Sequence, residues 1–332
     1  MSSTWNGSAL RTRFAQKYGL SDTTSLARIL EWMNEIQLDI CTDRSWPFLK
    51  FKMKKYIAAG ISEVDISPQV PSAPTIALLA GGSMTADSAV YLKTTFVLFD
   101  ESGKEFHSIE SEASPASNTV TPTGADLSLT VTAIDTYDGS STVKPATIHR
   151  RLYLKTGTGD YVLSKTIEDN TTTTTTITST TSSTIEPPHD SMIDNMSGED
   201  PVIEANGRTL TEAKLDDILK YDPNMSSSGT PHYYARISPT KIYIYPKPSD
   251  AITLSYWIYR RPARLFAETD RVIQLDESLK PVLDAGITWK GYEYKDSDGQ
   301  ESKLYNYEES KQKARGTKSN TGGQSLTVKV VC

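Results

Sequence analysis

The sequence predicts an α+β chain, with helices and a small antiparallel sheet near its two ends and an all-β segment inserted between them. Three observations predict it. Apolar residues recur at helical spacing in 8–41 and again in 281–315. From about residue 70 to residue 186 that periodicity vanishes, and short alternating runs are separated by Gly, Pro, Asp and Ser clusters. Two strong strand patterns then stand close together in 229–265. The expected domains are 1–69 with 187–315, carrying the helices and a β-hairpin, an inserted β domain over 70–186, and a flexible arm over 316–332 that ends in a strand pattern.

Taken in order, residues 8–19 read as a short basic helix with Leu10, Phe14 and Tyr18 on one stripe, stopped by Gly19. Hydroxyl and carboxylate N-cap residues at 21–25 precede a second helix from Leu26 to Cys41. Leu26, Ile29, Leu30, Met33, Ile36 and Ile40 give this helix one apolar face. Glu31, Glu35 and Asp39 lie four apart on the other side, where like charges cost a few tenths of a kcal/mol per pair, roughly. They read either as a solvated face or as a stripe facing a basic partner, a neighbour's Arg11 and Arg13, or a channel. Trp46-Pro47-Phe48 breaks the helix. A strand to Ala58 follows with Lys50, Lys52 and Lys54 on one face, read as a charge-protected edge or as a row able to meet phosphates.

Seven strands are expected in the β segment: Thr75–Leu79, Val90–Phe99, Phe106–Ser111, Asn118–Thr121, Leu127–Ile134, Ala146–Lys155 and Tyr161–Ile167. The threonine run 171–176 reads as a last strand passing into a linker. After Pro188, Thr209-x-x-Glu212 reads as a capping box opening a short helix with Leu210, Leu215, Ile218 and Leu219. Ile242 to Tyr245 and Ile252 to Tyr259 then alternate with period two and are expected to pair as a hairpin across the turn at 246–250. Tyr243, Tyr245 and Trp257 would lie on its second face, free to pack on something else. Pro281 opens a helix carrying Val282, Leu283, Ile287, Trp289 and Tyr292, and a further helix runs from Glu301 to Arg315. In the arm, Leu326, Val328 and Val330 alternate with Thr327, Lys329 and Val331, a strand that could add to a sheet edge elsewhere.

Composition narrows the function. The 332 residues carry a formal net charge of -6, concentrated in 68–186, where seven Lys and Arg face thirteen Asp and Glu. Tight general binding of nucleic acid needs a basic surface and is not expected. Cys41 and Cys332 show no CxxC spacing, which fits a reduced compartment without a zinc site or disulfide framework. No apolar leader or membrane-length run stands in the sequence. Glycine-rich nucleotide-binding patterns, HExxH and GxSxG are absent, and His107, His149, His189 and His232 have no ligand spacing. Asp296-x-Asp298-Gly299-x-Glu301 lacks the full calcium-loop pattern and reads as a helix–helix turn. No catalytic residue, cofactor or metal is expected, and the chain does not read as an enzyme.

Several stretches carry a resemblance. Gly229, Pro231, Tyr233 and Tyr234, then Ile242-Tyr243-Ile244-Tyr245-Pro246-x-Pro248, then Tyr259-Arg260-Arg261-Pro262 and Leu265 are similar to the head-to-tail adaptor (connector) proteins of tailed bacteriophages. So are Asp43-Arg44-x-Trp46-Pro47-Phe48-Leu49 after the second helix and the αα-hairpin after the strands. The likeness covers 8–67 and 187–315. The run with Tyr91, Thr94, Thr95, Phe96, Val97, Asp100, Gly103 and Glu105 resembles fibronectin-III-like modules of phage structural proteins, and the strand spacing fits an immunoglobulin- or fibronectin-III-like sandwich. The resemblance implies a virion structural protein of a short-tailed, podovirus-like phage, assembled in the host cytoplasm. It implies a homo-oligomeric ring, a 12-mer, bound to the portal on one side and to a tail or nozzle protein on the other, with DNA passing through and not specifically bound. The sandwich would sit outside and dock tail fibres. A surface adhesin or carbohydrate-binding module using the sandwich is the alternative; it leaves the flanking helices and strands unexplained.

Overall fold

The structure, a computed structural model, describes residues 7–43, 46–99, 108–137, 147–180, 183, 185–188, 193–196, 203–238, 240–262, 275, 277–295 and 299–319. The chain divides into two units, Met1–Phe48 with Pro262–Cys332, and Leu49–Arg261. The expected insertion over 70–186 lies inside the second unit, together with strands from both sides of it. Among the described residues five helices form: α1 (Gly7–Tyr18), α2 (Thr23–Thr42), α3 (Leu215–Tyr221), α4 (Lys280–Tyr294) and α5 (Gln300–Ser319).

The first unit is built from α1, α2, α4 and α5. Gly19 ends α1 at a positive φ of 65°, a conformation glycine adopts without strain. The Asp22 side chain then caps α2 by accepting the Ser25 N–H at 2.9 Å. The expected apolar stripe goes inward: Ile29, Met33, Ile36 and Ile40 are buried, joined by Trp32 and Cys41. Trp46 folds back after α2, its indole N–H donating to the Ile40 carbonyl at 2.6 Å. Pro281 sits in the first turn of α4, as expected. Gly286 of α4 lies so close to Ile36 and Tyr307 that a Cβ there would meet them at 2.6 and 2.9 Å, and Gly291 abuts the Tyr18 ring in the same way. The α4 glycines therefore let α2, α5 and α1 close on one helix.

The second unit is mostly β. In one sheet β1 (Lys50–Ile57) lies at the edge and pairs antiparallel with β19 (Ile252–Arg260), from Lys50 opposite Tyr259 to Ile57 opposite Ile252. On its far side β19 pairs with β12 (Ile203–Ala205), which pairs with β13 (Arg208–Thr209); β11 (Ile193–Met196) also joins β19. A second sheet has the order β14 (Thr211–Glu212), β16 (Tyr233–Ser238), β17 (Lys241–Tyr245) and β2 (Glu63–Asp65). The short strands β15 (Ser228–Gly229) and β18 (Lys247–Pro248) pair in parallel.

The expected hairpin between 242–245 and 252–259 does not form. The true hairpin is β16–β17, and β19 belongs to the other sheet, where β1 is its partner over the full eight residues. Pro246 and Pro248 donate no ladder hydrogen bond. The short segment that carries them crosses between sheets, with β18 held by β15. The expected capping box also fails. Thr209 pairs with Glu204 in a ladder and Glu212 pairs with Tyr234, so helix α3 starts only at Leu215, after Lys214. Asp222 closes α3 by accepting the Ser227 N–H at 2.7 Å, and this bond holds its carboxyl down at about 2.

The remaining strands form two further sheets. In one, β5 (Val90–Phe99) and β8 (Thr147–Thr156) pair over ten residues, flanked by β6 (Ser108–Glu110) and β9 (Val162–Ile167). The other joins β10 (Thr175–Ile177), β7 (Asp126–Thr132) and β3 (Thr75–Leu79), with β4 (Gly81–Gly82) on β7. Ile76, Leu129, Val131 and Ile177 of this sheet share a core with Val90, Leu92, Leu152 and Leu154 of the other. A separate core joins the lower part of β5, β6 and β8 to β1, β17 and β19 through Phe96, Leu98, Ile109 and Ile148. Asn118–Thr121 forms no strand, only a bridge between Val120 and Val90. Instead Ser111, Ser114 and Ser117 run along the edge of β5. Each donates its N–H to a β5 carbonyl at 2.8 Å while its Oγ accepts the N–H of Phe96, Thr94 or Leu92. A serine at every third position thereby closes an edge that would otherwise be open to pairing.

Candidate interaction surfaces

On α2, Glu35 and Asp39 face two other helices of their own unit. Glu35 pairs with Lys290 of α4 at 3.1 Å. Asp39 receives Lys311 of α5 at 2.9 Å and the Tyr307 hydroxyl. One turn on, Asp43 takes Arg315. Two carboxylates four apart thus meet two cations four apart on parallel helices, a matched spacing visible in the sequence once the helices are known to be neighbours. Burial pushes the Asp39 carboxyl upward, but the hydrogen bonds from Tyr307 and Lys311 outweigh it and hold the carboxyl below its ordinary value. The same contact, with burial first, drives the Tyr307 hydroxyl far up. Burial likewise opposes the charge on Lys290, and Glu35 overrides it.

The sign for pH follows. A carboxyl lower in the folded than in the unfolded state stabilises above the ordinary carboxylate range, and that contribution fades as pH falls through about 4. Acid unfolding of the wild-type chain, followed by far-ultraviolet circular dichroism, is expected to begin below about pH 4, and Asp39→Asn should flatten that dependence. An unchanged acid profile in Asp39→Asn would show that the contact carries no linkage.

Arg13, expected to reach a neighbour's acidic stripe, pairs within its own chain with Asp284 of α4, lies 5.0 Å over the Phe14 ring and keeps about half of its side chain exposed. Arg11 is half-buried on α1. Glu31 remains exposed and lines an open groove of about 370 Å³ with Asn34, Glu35, Gln37, Leu38 and Pro262. Leu38 is 45% exposed there, an apolar residue among carboxylates.

In the second unit the expected contact residues separate. Tyr243 is 7% exposed and packs with Ile218 of α3 and Ala235, so the chain itself covers it. Tyr245 is half-buried against the same cluster. Trp257 is 37% exposed on the outer face of the β1–β19 sheet, opposite Lys52. Leu326, Val328 and Val330 lie outside the described residues, as do His107, His189, Asp296 and Asp298. Among the described residues no group of His, Cys, Asp and Glu is arranged to hold a metal ion, and no helix is long and apolar enough to cross a membrane.

No curated protein matches the sequence. A family model described as SU10 adaptor protein matches residues 146–328, more than half of the chain.

Proposed function

Because the chain belongs to the SU10 adaptor protein family, a family of phage structural proteins and not of enzymes, we propose that it forms a ring of identical subunits between the portal and the tail or nozzle of a short-tailed phage. The family match is the observation that carries this reading. Twelve copies would surround a passage for DNA. The two sheets that share the Ile76–Leu154 core would be an immunoglobulin- or fibronectin-III-like sandwich inserted over 70–186, on the outside of the ring and available to tail fibres. The expected arm over 316–332 begins later, because α5 runs to Ser319; the remaining 320–332, with Leu326, Val328 and Val330, would reach the portal or the adjacent subunit.

Several apolar side chains stay uncovered in a single copy. Tyr221 is 87% exposed, Tyr305 69%, and Leu38, Tyr233 and Ile237 more than 40% each. Repetition of one subunit around an axis buries such residues against copies of the same chain. The exposed Glu31 and the groove beside it are offered as part of such a contact or of the channel wall.

Negative-stain images of the purified chain, alone and with portal rings, test the proposal. Rings, or portals carrying an added layer of density, are expected. A chain that stays single at high concentration and leaves portals undecorated would overturn it.

A further inference from the structure

The outer face of the β1–β19 sheet is chemically unlike the rest of this acidic chain. Lys50, Lys52 and Lys54 project from alternate positions of β1, about 6.8 Å apart along the strand. Opposite them on β19 stand Tyr259, which is buried, and the more open Trp257 and Ser255. The Lys50 ammonium lies 5.6 Å from the Tyr259 ring centroid and the Lys52 ammonium 5.8 Å from that of Trp257. The rings hold these two cations over the face without neutralising them. Tyr56, 40% exposed, ends the row. Glu204, an acid on this face, stands beyond Ser255, two strands from Lys54.

We propose that this face contacts the phosphate backbone of duplex DNA. The lysines repeat at a distance comparable to the step between successive phosphates on one strand, and among the described residues β1 is the sheet edge, so a rod-like polyanion can approach without meeting a further described strand. Trp257 and Tyr56 supply flat surfaces for sugar edges. Nothing on the face reads bases, so the contact is independent of sequence. Three lysines also make it weak. Counterion release by three phosphates gives a slope of about −2.7 in log affinity against log salt, or about 40-fold weaker binding at 200 mM than at 50 mM salt. A wall that touches DNA weakly permits its passage. The choice of duplex DNA as the polyanion rests on the adaptor reading; the cationic face itself does not.

The test uses the full chain and a random-sequence duplex at 50 mM salt, with binding read by anisotropy and by Trp257 emission against a Trp257→Phe control. The wild type should bind with the slope above. Lys50→Gln/Lys52→Gln/Lys54→Gln should lose at least tenfold in affinity and most of the slope, whereas Lys50→Arg/Lys52→Arg/Lys54→Arg should keep both. No DNA binding by the wild type, or equal binding by the Gln variant, overturns the proposal. So does a Gln variant whose oligomeric state alone changes, because the face would then be a contact between copies or a guarded edge. Portal decoration by the Gln variant separates the two readings: it persists if only the DNA contact is lost, and its absence in the wild type would count against the adaptor role.

Discussion

Gly286→Val is expected to destabilise the helical unit by about 3 kcal/mol. Glycine inside a helix normally costs about 1 kcal/mol relative to alanine, so a larger residue at an open site would stabilise α4. Gly286 is not an open site. A Cβ there would lie 2.6 Å from the Ile36 Cγ2 and 2.9 Å from the Tyr307 Cε2, and valine adds two methyl groups beyond it. Ile36 and Tyr307 are 2% and 1% exposed, and Tyr307 is fixed further by its hydroxyl contact with Asp39. Neither side chain has space to withdraw, so overpacking exceeds the gain in helix propensity. Urea unfolding followed by far-ultraviolet circular dichroism reads mainly this unit, because the other unit holds one helix of seven residues among those described. Gly229→Ala, in the other unit and read by near-ultraviolet circular dichroism, is the control for replacing a glycine as such: a Cβ at Gly229 meets nothing within 4 Å, and its cost should stay within about 0.5 kcal/mol. An unshifted midpoint for Gly286→Val would mean that the helices separate without loss and that the close approach contributes nothing.

The same contrast shows what could be read before the structure. Helices α1, α2, α4 and α5 were legible because their signals are local: an apolar stripe, Gly19 as a stop, Asp22 among the cap residues, Pro281 at a start. The long strand β5 was legible for the same reason. The partner of β19 was not. Six residues separate β17 from β19, and proximity in sequence favours pairing them, yet β1 lies some 200 residues earlier and takes the place. What decides is which faces need burying. Ile242 and Ile244 pack into the core on one side of the β16–β17 sheet while Tyr243 and Ala235 pack under α3 on the other. Trp257 keeps an outer face of its own. The serine ladder escaped notice because its period is three, neither the two of a strand nor the 3.6 of a helix. The stripe of Glu31, Glu35 and Asp39 is legible, but the cations that meet Glu35 and Asp39 stand on α4 and α5, more than 250 residues away.

Glu110→Ala should destabilise the second unit by about 3–5 kcal/mol. Glu110 is 4% exposed on β6. Its carboxylate accepts the Thr95 hydroxyl at 2.7 Å, the Tyr153 hydroxyl at 2.6 Å and an Arg151 N–H at 2.7 Å. Truncation removes the acceptor and leaves the guanidinium of Arg151, whose side chain is 12% exposed, without its carboxylate in a place water scarcely reaches. The loss is therefore a desolvation cost left unbalanced and not a measure of what the pair contributes. That distinction can be tested. Glu110→Leu/Arg151→Met/Tyr153→Phe removes both charges and the Tyr153 hydroxyl at similar volume and should cost less than Glu110→Ala alone, because only the Thr95 hydroxyl is left without its acceptor. Thermal unfolding monitored by near-ultraviolet circular dichroism ranks the variants. If Glu110→Ala costs under about 1 kcal/mol, water or a rearranged side chain reaches Arg151. If the triple variant is the worse of the two, the network contributes net stability and the desolvation argument fails.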